Sequence, residues 1–207
     1  MRRMCACGNI FLEKILVSRV KGLFSVAGKT ALITGGGSGI GGFMAQSLSE
    51  EGGTVLLVGR REDKLREVLG ARDGKIFVID LCQAGASERL FTMVTDCGYQ
   101  PDIIVNAAGI NPRLHADKID EEMWTYTVHL NLNVPFLVAQ KFVPGMKANG
   151  WGRIINIASM QSNRAFPNGI SYGSAKGGVT QLTRAMAEAW SAHGITANAL
   201  APGFFPT

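Results

Sequence analysis

The chain has 207 residues, 46% of them hydrophobic and 18% charged, with 26 glycines; that suffices for one α/β domain with a substantial core, is short for two, and excludes a disordered chain. No apolar run reaches the ~18 residues of a membrane-spanning helix. The net charge of +5 does not mark a nucleic-acid binder: residues 1–27 carry Arg2, Arg3, Lys14, Arg19 and Lys21 against Glu13 alone, while the rest of the chain holds 16 basic and 15 acidic side chains, so the expected folded body has no basic excess for such a partner.

Cys5, Cys7, Cys82 and Cys97 have the spacing of neither a zinc knuckle nor a disulfide framework and read as free thiols of a reducing compartment. No metal site is expected, and the expected location is cytoplasmic. Residues 1–27 read as an N-terminal extension to a domain over 28–207. Ile10, Phe11, Ile15, Leu16, Val20 and Leu23 can form one apolar helix face beside basic residues. That pattern also suits a membrane-surface helix or an organelle-targeting segment, but transit peptides are richer in Ser and Arg, which favours a plain surface extension.

Six short apolar runs follow in chain order, at 30–34, 54–58, 75–79, 102–105, 153–157 and 195–200. Most are continuous rather than alternating, as strands covered on both faces require. Helical patterns separate them at about 40–51, 61–69, 84–96, 119–148 (bent near Pro135 and Pro144) and 172–192. The alternation predicts a three-layer, doubly wound parallel sheet of Rossmann type in a single domain.

Between the first strand and the first helix lies Thr34-Gly-Gly-Gly-Ser-Gly-Ile-Gly-Gly42. Glycine is needed where a chain turns sharply and where backbone N–H groups must approach a pyrophosphate, and the helix start adds unpaired N–H groups and a positive dipole end. Gly35, Gly37, Ser38, Gly39, Ile40 and Gly41 are therefore candidate cofactor contacts. Two registers fit: Gly35 with Gly39 and Gly41, or Gly37 with Gly39 and Gly42. The second strand ends Val58-Gly59-Arg60-Arg61, with no carboxylate to accept bonds from a ribose 2′-OH and two guanidiniums that suit a 2′-phosphate; NADP(H) is expected over NAD(H). Asp80 and Leu81, ending the third strand, fall beside the adenine, although Asp80 can equally cap the next helix. Asn106, Ala107, Ala108 and Gly109 end the fourth strand, where small residues admit the nicotinamide-side ribose and Asn106 can tie neighbouring strands.

Tyr172-Gly-Ser-Ala-Lys176 puts a phenol and an ammonium at i and i+4, one turn apart on one helix face. A phenol titrating near ~10 is a poor base at neutral pH, and a neighbouring ammonium is expected to lower that value. The pair can then exchange a proton with an alcohol or ketone oxygen as hydride moves to or from a nicotinamide. Ser159, ending the fifth strand, can hold the substrate oxygen. Asn131, inside the long helix, can hold a proton-returning water or make an internal hydrogen bond. Arg113, His115, Gln161, Asn163 and Arg164 follow strand ends and can line a pocket mouth that favours a hydroxylated or acidic small molecule.

In order and spacing, Thr34-Gly35-xxx-Gly39-Ile40-Gly41, Asp80, Asn106-Ala-Ala-Gly109, Asn131, Ser159, Tyr172-xxx-Lys176 and Pro202-Gly203 resemble the motifs of the short-chain dehydrogenase/reductase family, from about residue 24 onward. The resemblance implies Tyr172 as acid/base, Lys176 as ribose ligand and helper of Tyr172, Ser159 as substrate holder, Asn131 as the end of a proton relay, and Pro202 and Gly203 as further cofactor contacts. It also implies a homodimer or homotetramer. Ala187-Glu-Ala-Trp190 and the segment from Ala201 to Thr207 look most like sugar-acid and polyol dehydrogenases acting on gluconate/5-ketogluconate, with 3-oxoacyl-carrier-protein reductases as the alternative. Family members continue past this point with a substrate lid and one more parallel strand, so both are expected to be missing here. An inactive dinucleotide-binding fragment or regulator is the reading from another class.

Overall fold

The computed structural model describes residues 25–204; most of the expected N-terminal extension lies outside them. Six strands, β1 (Thr30–Thr34), β2 (Thr54–Gly59), β3 (Gly74–Val78), β4 (Ile103–Asn106), β5 (Gly152–Ile157) and β6 (Ile195–Leu200), form one sheet in the order β3-β2-β1-β4-β5-β6. Every pairing is parallel, with Leu32 opposite both Leu56 and Ile104. The helices are α1 (Gly39–Glu50), α2 (Glu62–Leu69), α3 (Ala86–Asp96), α4 (Glu121–Val128), α5 (Val134–Ala148) and α6 (Ile170–Trp190). The expected doubly wound α/β architecture is what the chain adopts.

Alternation along the strands builds two cores. Ala31, Ile33, Val55, Leu57, Ile103 and Val105 face α1 and α2, where Ala45 and Leu65 close the layer. Leu32, Leu56, Val58, Ile104 and Ile154 face Leu90 and Val94 of α3, Val138 and Phe142 of α5, and Met186 of α6. The central strands β1, β2 and β4 meet water on neither face, which is why they read as unbroken apolar runs. Each fully buried leucine among them contributes roughly 1.5–3 kcal/mol.

Polar side chains inside the sheet tie its layers. Asn106 Nδ2 donates to Asn156 Oδ1 on β5 (2.8 Å) and to the Pro135 carbonyl (3.3 Å). Asn156 Nδ2 donates in turn to Thr183 Oγ1 on α6 (2.9 Å). The network thus joins two strands and two helices, and burial makes each bond costly to leave unmade. β3 and β6 are the edge strands; among the described residues β6 pairs with β5 alone, and Leu200 on it is 49% exposed. Among the described residues no helix is long and apolar enough to cross a membrane.

The expected bend near Pro135 takes the form of a π turn over His129–Asn133, which joins α4 to α5. Proline lacks the N–H owed to the carbonyl four residues back, and its ring crowds that carbonyl. For Pro135 the carbonyl is that of Asn131, so the helix widens there.

Candidate active site

The carboxyl ends of β1, β2, β3 and β4 and the start of α1 enclose a cleft of about 400 Å³. Its phosphate side is the turn after β1. Gly35 has φ +68°, and a Cβ on it would stand 2.8 Å from the Ala108 nitrogen and 2.9 Å from the Ala107 carbonyl carbon. A Cβ on Gly41 would stand 2.5 Å from the Gly35 carbonyl oxygen. Gly42 makes no such demand, since its Cβ would meet Val68 at an ordinary 3.4 Å. The tight register is therefore Gly35, Gly39 and Gly41. Thr34 braces the turn from below, its Oγ1 accepting from the Ala107 and Ala108 nitrogens (3.2 Å each). Gly35→Ala is expected to cost about 2–4 kcal/mol through the left-handed backbone and the clash together, read as the loss in urea-unfolding free energy. A loss below about 1 kcal/mol would mean that the turn can shift aside.

The far wall comes from β2 and β3. Arg60, Arg61, Asp80 and Leu81 all line the cleft. Arg61 Nη2 donates to Ser38 Oγ at the start of α1 (2.9 Å), and Arg60 Nη1 donates to Tyr126 Oη on α4 (3.1 Å). Asp80 accepts from the Cys82 nitrogen (3.0 Å) and so shapes the loop after β3; the residue before α3 is Gly85, so Asp80 does not cap that helix.

The near wall holds Ala107, Ala108, Gly109, Asn131, Tyr172 and Lys176. Ser171, Ala175, Lys176, Val179, Thr183 and Met186 form the buried stripe of α6, which sets Lys176 inward. Its ammonium donates to the Ile157 carbonyl at the end of β5 and stands 5.6 Å from the Tyr172 ring centroid. Burial drives the Lys176 pKa down to about 8. Burial also pushes the Tyr172 phenol above its ordinary value, and the Ser159 hydroxyl beside it pulls the other way. The expected lowering of the phenol by Lys176 does not occur in the protein alone: desolvation sets the upward direction, and the ammonium is engaged by the Ile157 carbonyl.

Ser159 is fixed by a reciprocal cap. Its Oγ accepts from the Gln161 nitrogen (3.1 Å), while its own nitrogen donates to Ser162 Oγ (3.3 Å), which donates to the Lys176 carbonyl (2.8 Å). Asn131, on the π turn, donates through Nδ2 to the Ile110 and Thr127 carbonyls (2.9 Å each). Its buried Oδ1 has no partner among the described residues. That oxygen lies 2.5 Å, and Lys176 Nζ 3.8 Å, from where a Cβ on Gly109 would sit. The internal hydrogen bond read for Asn131 is present at one end of its amide, and the other end is left without a partner among the described residues, beside Lys176.

Three expected cofactor contacts stand apart from the cleft lining. Asn106 is only 2% exposed, with its amide in the sheet network. Pro202 and Gly203 lie against Met160, the Pro202 carbonyl accepting from the Met160 nitrogen (3.3 Å). Sequence reasoning did not single out Tyr126, Asn111 or Ile110, which line the cleft; nothing in a helical pattern marks Tyr126, whose partner is 66 residues away. Ser162, which braces both Ser159 and α6, was also missed, although its place three residues after a serine is a capping signal. A neighbouring hollow is bordered by His115, Gln161, Asn163, Arg164 and Gly173.

A glycine turn with no room for side chains, an unpartnered amide oxygen and a buried ammonium beside a phenol together fit a bound nicotinamide dinucleotide. Comparison with known proteins agrees on the class. The short chain dehydrogenase family model matches residues 29–207. Gluconate 5-dehydrogenase of Gluconobacter oxydans is 36% identical over 193 residues, covering 89% of this chain and 74% of the relative. A 3-oxoacyl-[acyl-carrier-protein] reductase of Rickettsia bellii is 33% identical over 182 residues, covering 88% and 75%. Among solved structures, a gluconate 5-dehydrogenase from Burkholderia cenocepacia in complex with NADP and tartrate superposes with a TM-score of 0.83 at 35% identity, covering 89% of this chain and 74% of that one. The chain belongs to the short-chain dehydrogenase family of oxidoreductases.

Proposed function

We propose that the chain interconverts a secondary alcohol and a ketone, prefers NADP(H) over NAD(H), and acts on a sugar acid or polyol of the gluconate/5-ketogluconate kind. The observation that carries this reading is the Tyr172 phenol, with the Ser159 hydroxyl beside it and the buried Lys176 a turn away, opening on a glycine-walled cleft. When bound, the nicotinamide supplies or takes the hydride at the substrate carbon. Every other step falls to the chain. Tyr172 Oη gives its proton to the carbonyl oxygen in reduction and takes it back in alcohol oxidation. The raised phenol pKa keeps that proton in place in the free protein, ready for the reductive direction. Ser159 Oγ shares the charge that grows on the substrate oxygen. Lys176 holds the ribose side and supplies the positive charge that eases phenolate formation. Asn131 Oδ1, left without a partner among the described residues, is the acceptor for a water that returns protons toward Lys176.

Arg61 with Ser38 supports the NADP preference, because a guanidinium and a hydroxyl at the start of α1 suit a 2′-phosphate. The kinship with gluconate 5-dehydrogenases supports a hydroxylated substrate over an acyl thioester, and Gln161, Asn163 and Arg164 bring hydrogen-bonding groups to the otherwise largely apolar neighbouring hollow. By the same kinship we propose a homo-oligomer.

The test is turnover of gluconate and other polyols with NADP+ and NAD+, and of their ketones and a 3-oxoacyl thioester with NADPH and NADH. Oxidation of the sugar acid with NADP+ and reduction of its ketone with NADPH are expected, and Arg61→Ala should weaken NADPH binding about tenfold while sparing NADH. Turnover confined to the thioester would replace the substrate assignment, and equal loss with both dinucleotides would remove the cofactor preference.

A further inference from the structure

The two arginines after β2 are adjacent in sequence, yet they are held by different elements. Arg61 is tied to Ser38, beside the glycine turn, whereas Arg60 crosses to α4, where its Nη1 donates to Tyr126 Oη over 3.1 Å. Tyr126 is partly buried. Its ring packs on the core that holds Leu81 and Phe77, and its hydroxyl touches the Cys82 thiol. Burial keeps the phenol protonated, so its oxygen accepts from Arg60 as a neutral hydroxyl. Arg60, Tyr126, Asp80 and Leu81 line the same end of the cleft. In a doubly wound sheet the adenosine half of a dinucleotide lies over the ends of the strands that here are β2 and β3.

An arginine free in solvent must lose several rotatable bonds to grip a ligand, and fixing it beforehand lowers that cost. We propose that Tyr126 is a positioning residue for the cofactor: it holds the Arg60 guanidinium as one wall of the adenine slot, so that Arg60 grips the base that both dinucleotides share while Arg61 and Ser38 read the 2′-substituent. The inference rests on the dinucleotide reading above. It adds a geometric link, because Tyr126 stands on α4 five residues before Asn131 on the adjoining π turn. One continuous helical segment therefore sets both the adenine wall and the relay amide near the nicotinamide.

The experiment is a fluorescence titration of NADPH and of NADH with the wild-type chain, Tyr126→Phe, Arg60→Ala and the double variant. Phenylalanine keeps the packed ring and removes only the hydroxyl, and a thermal melt verifies the fold. Tyr126→Phe is expected to weaken both dinucleotides by the same factor, about fivefold. Arg60→Ala should weaken both further, and adding Tyr126→Phe to it should then cost less than about twofold, because the hydroxyl acts only through the guanidinium. Unchanged affinity in Tyr126→Phe overturns the proposal. So does a loss confined to NADPH, which would put Arg60 on the 2′-phosphate, and so do two losses that multiply, which would make Tyr126 independent of Arg60. If the wild-type chain binds neither dinucleotide, the underlying cofactor reading fails and this inference falls with it.

Discussion

Tyr172→Phe is expected to lower turnover by about a thousandfold or more while NADPH affinity stays within about twofold. The substitution removes one oxygen and leaves the ring, which is packed on the same helix as Lys176. Among the described residues, the phenol is the titratable group placed beside the Ser159 hydroxyl. Asn131 carries no titratable proton, and the Lys176 ammonium is committed to the Ile157 carbonyl. The glycine turn, Arg61 and the β3 wall are untouched, so cofactor binding is expected to persist. Steady-state kinetics in both directions and a fluorescence titration on the same preparation separate the two effects. Activity within about tenfold of wild type would remove Tyr172 from the proton transfer and with it the mechanism.

How much of this was readable from the sequence follows from which forces are local. Burial on both faces leaves an unbroken apolar signature in the central strands, so β1 matches its expected span and β4 is displaced by a single residue; at the more exposed edges β6 also matches and β3 is displaced by one. The glycine turn was legible as a turn but not in its register. That choice depends on the distance from Gly41 to the Gly35 carbonyl and from Gly35 to the end of β4, which are contacts across the fold. Proline at 135 announced a disturbed helix; that the disturbance is a π turn carrying Asn131 required the carbonyl geometry. The direction of the phenol shift was misread because burial is a property of the folded surroundings: the i, i+4 spacing brings the ammonium near but does not say that the Ile157 carbonyl already holds it. Asn106 is a similar case. Its position at a strand end suggested a ligand contact as well as a tie between strands, and its amide serves the tie to Asn156 and Pro135.

Lys176 offers the second large effect, because its activity and stability terms point in opposite directions. It is 4% exposed, has no carboxylate against it among the described residues, and its pKa falls to about 8 from 10.5. Lys176→Met fills similar volume without charge, and activity is expected to fall at least about a hundredfold, since the charge proposed to hold the ribose side and to ease phenolate formation once the dinucleotide is bound is gone. The stability effect depends on pH in a defined way. Below pH 8 the folded and unfolded chains both hold the proton, and the folded state bears the full cost of the buried charge. Between about 8 and 10.5 the unfolded chain keeps the proton that the folded chain has released, so wild-type stability rises with pH. The methionine variant has no such rise. The stability of the variant relative to wild type is therefore expected to decline across that window by an amount on the order of 3 kcal/mol. Tyr172 does not blur the comparison: its raised pKa makes stability fall with pH above about 10, and it does so in both proteins. Urea unfolding at pH 7.5, 8.5, 9.5 and 10.5 reads the difference directly. A difference that stays flat would mean that the ammonium is not held against its own solvation, and an active methionine variant would mean that the charge has no part in the chemistry. The expected pair of results, an inactive variant whose stability relative to wild type declines as pH rises, would mark Lys176 as a charge kept in the core for what it does to Tyr172.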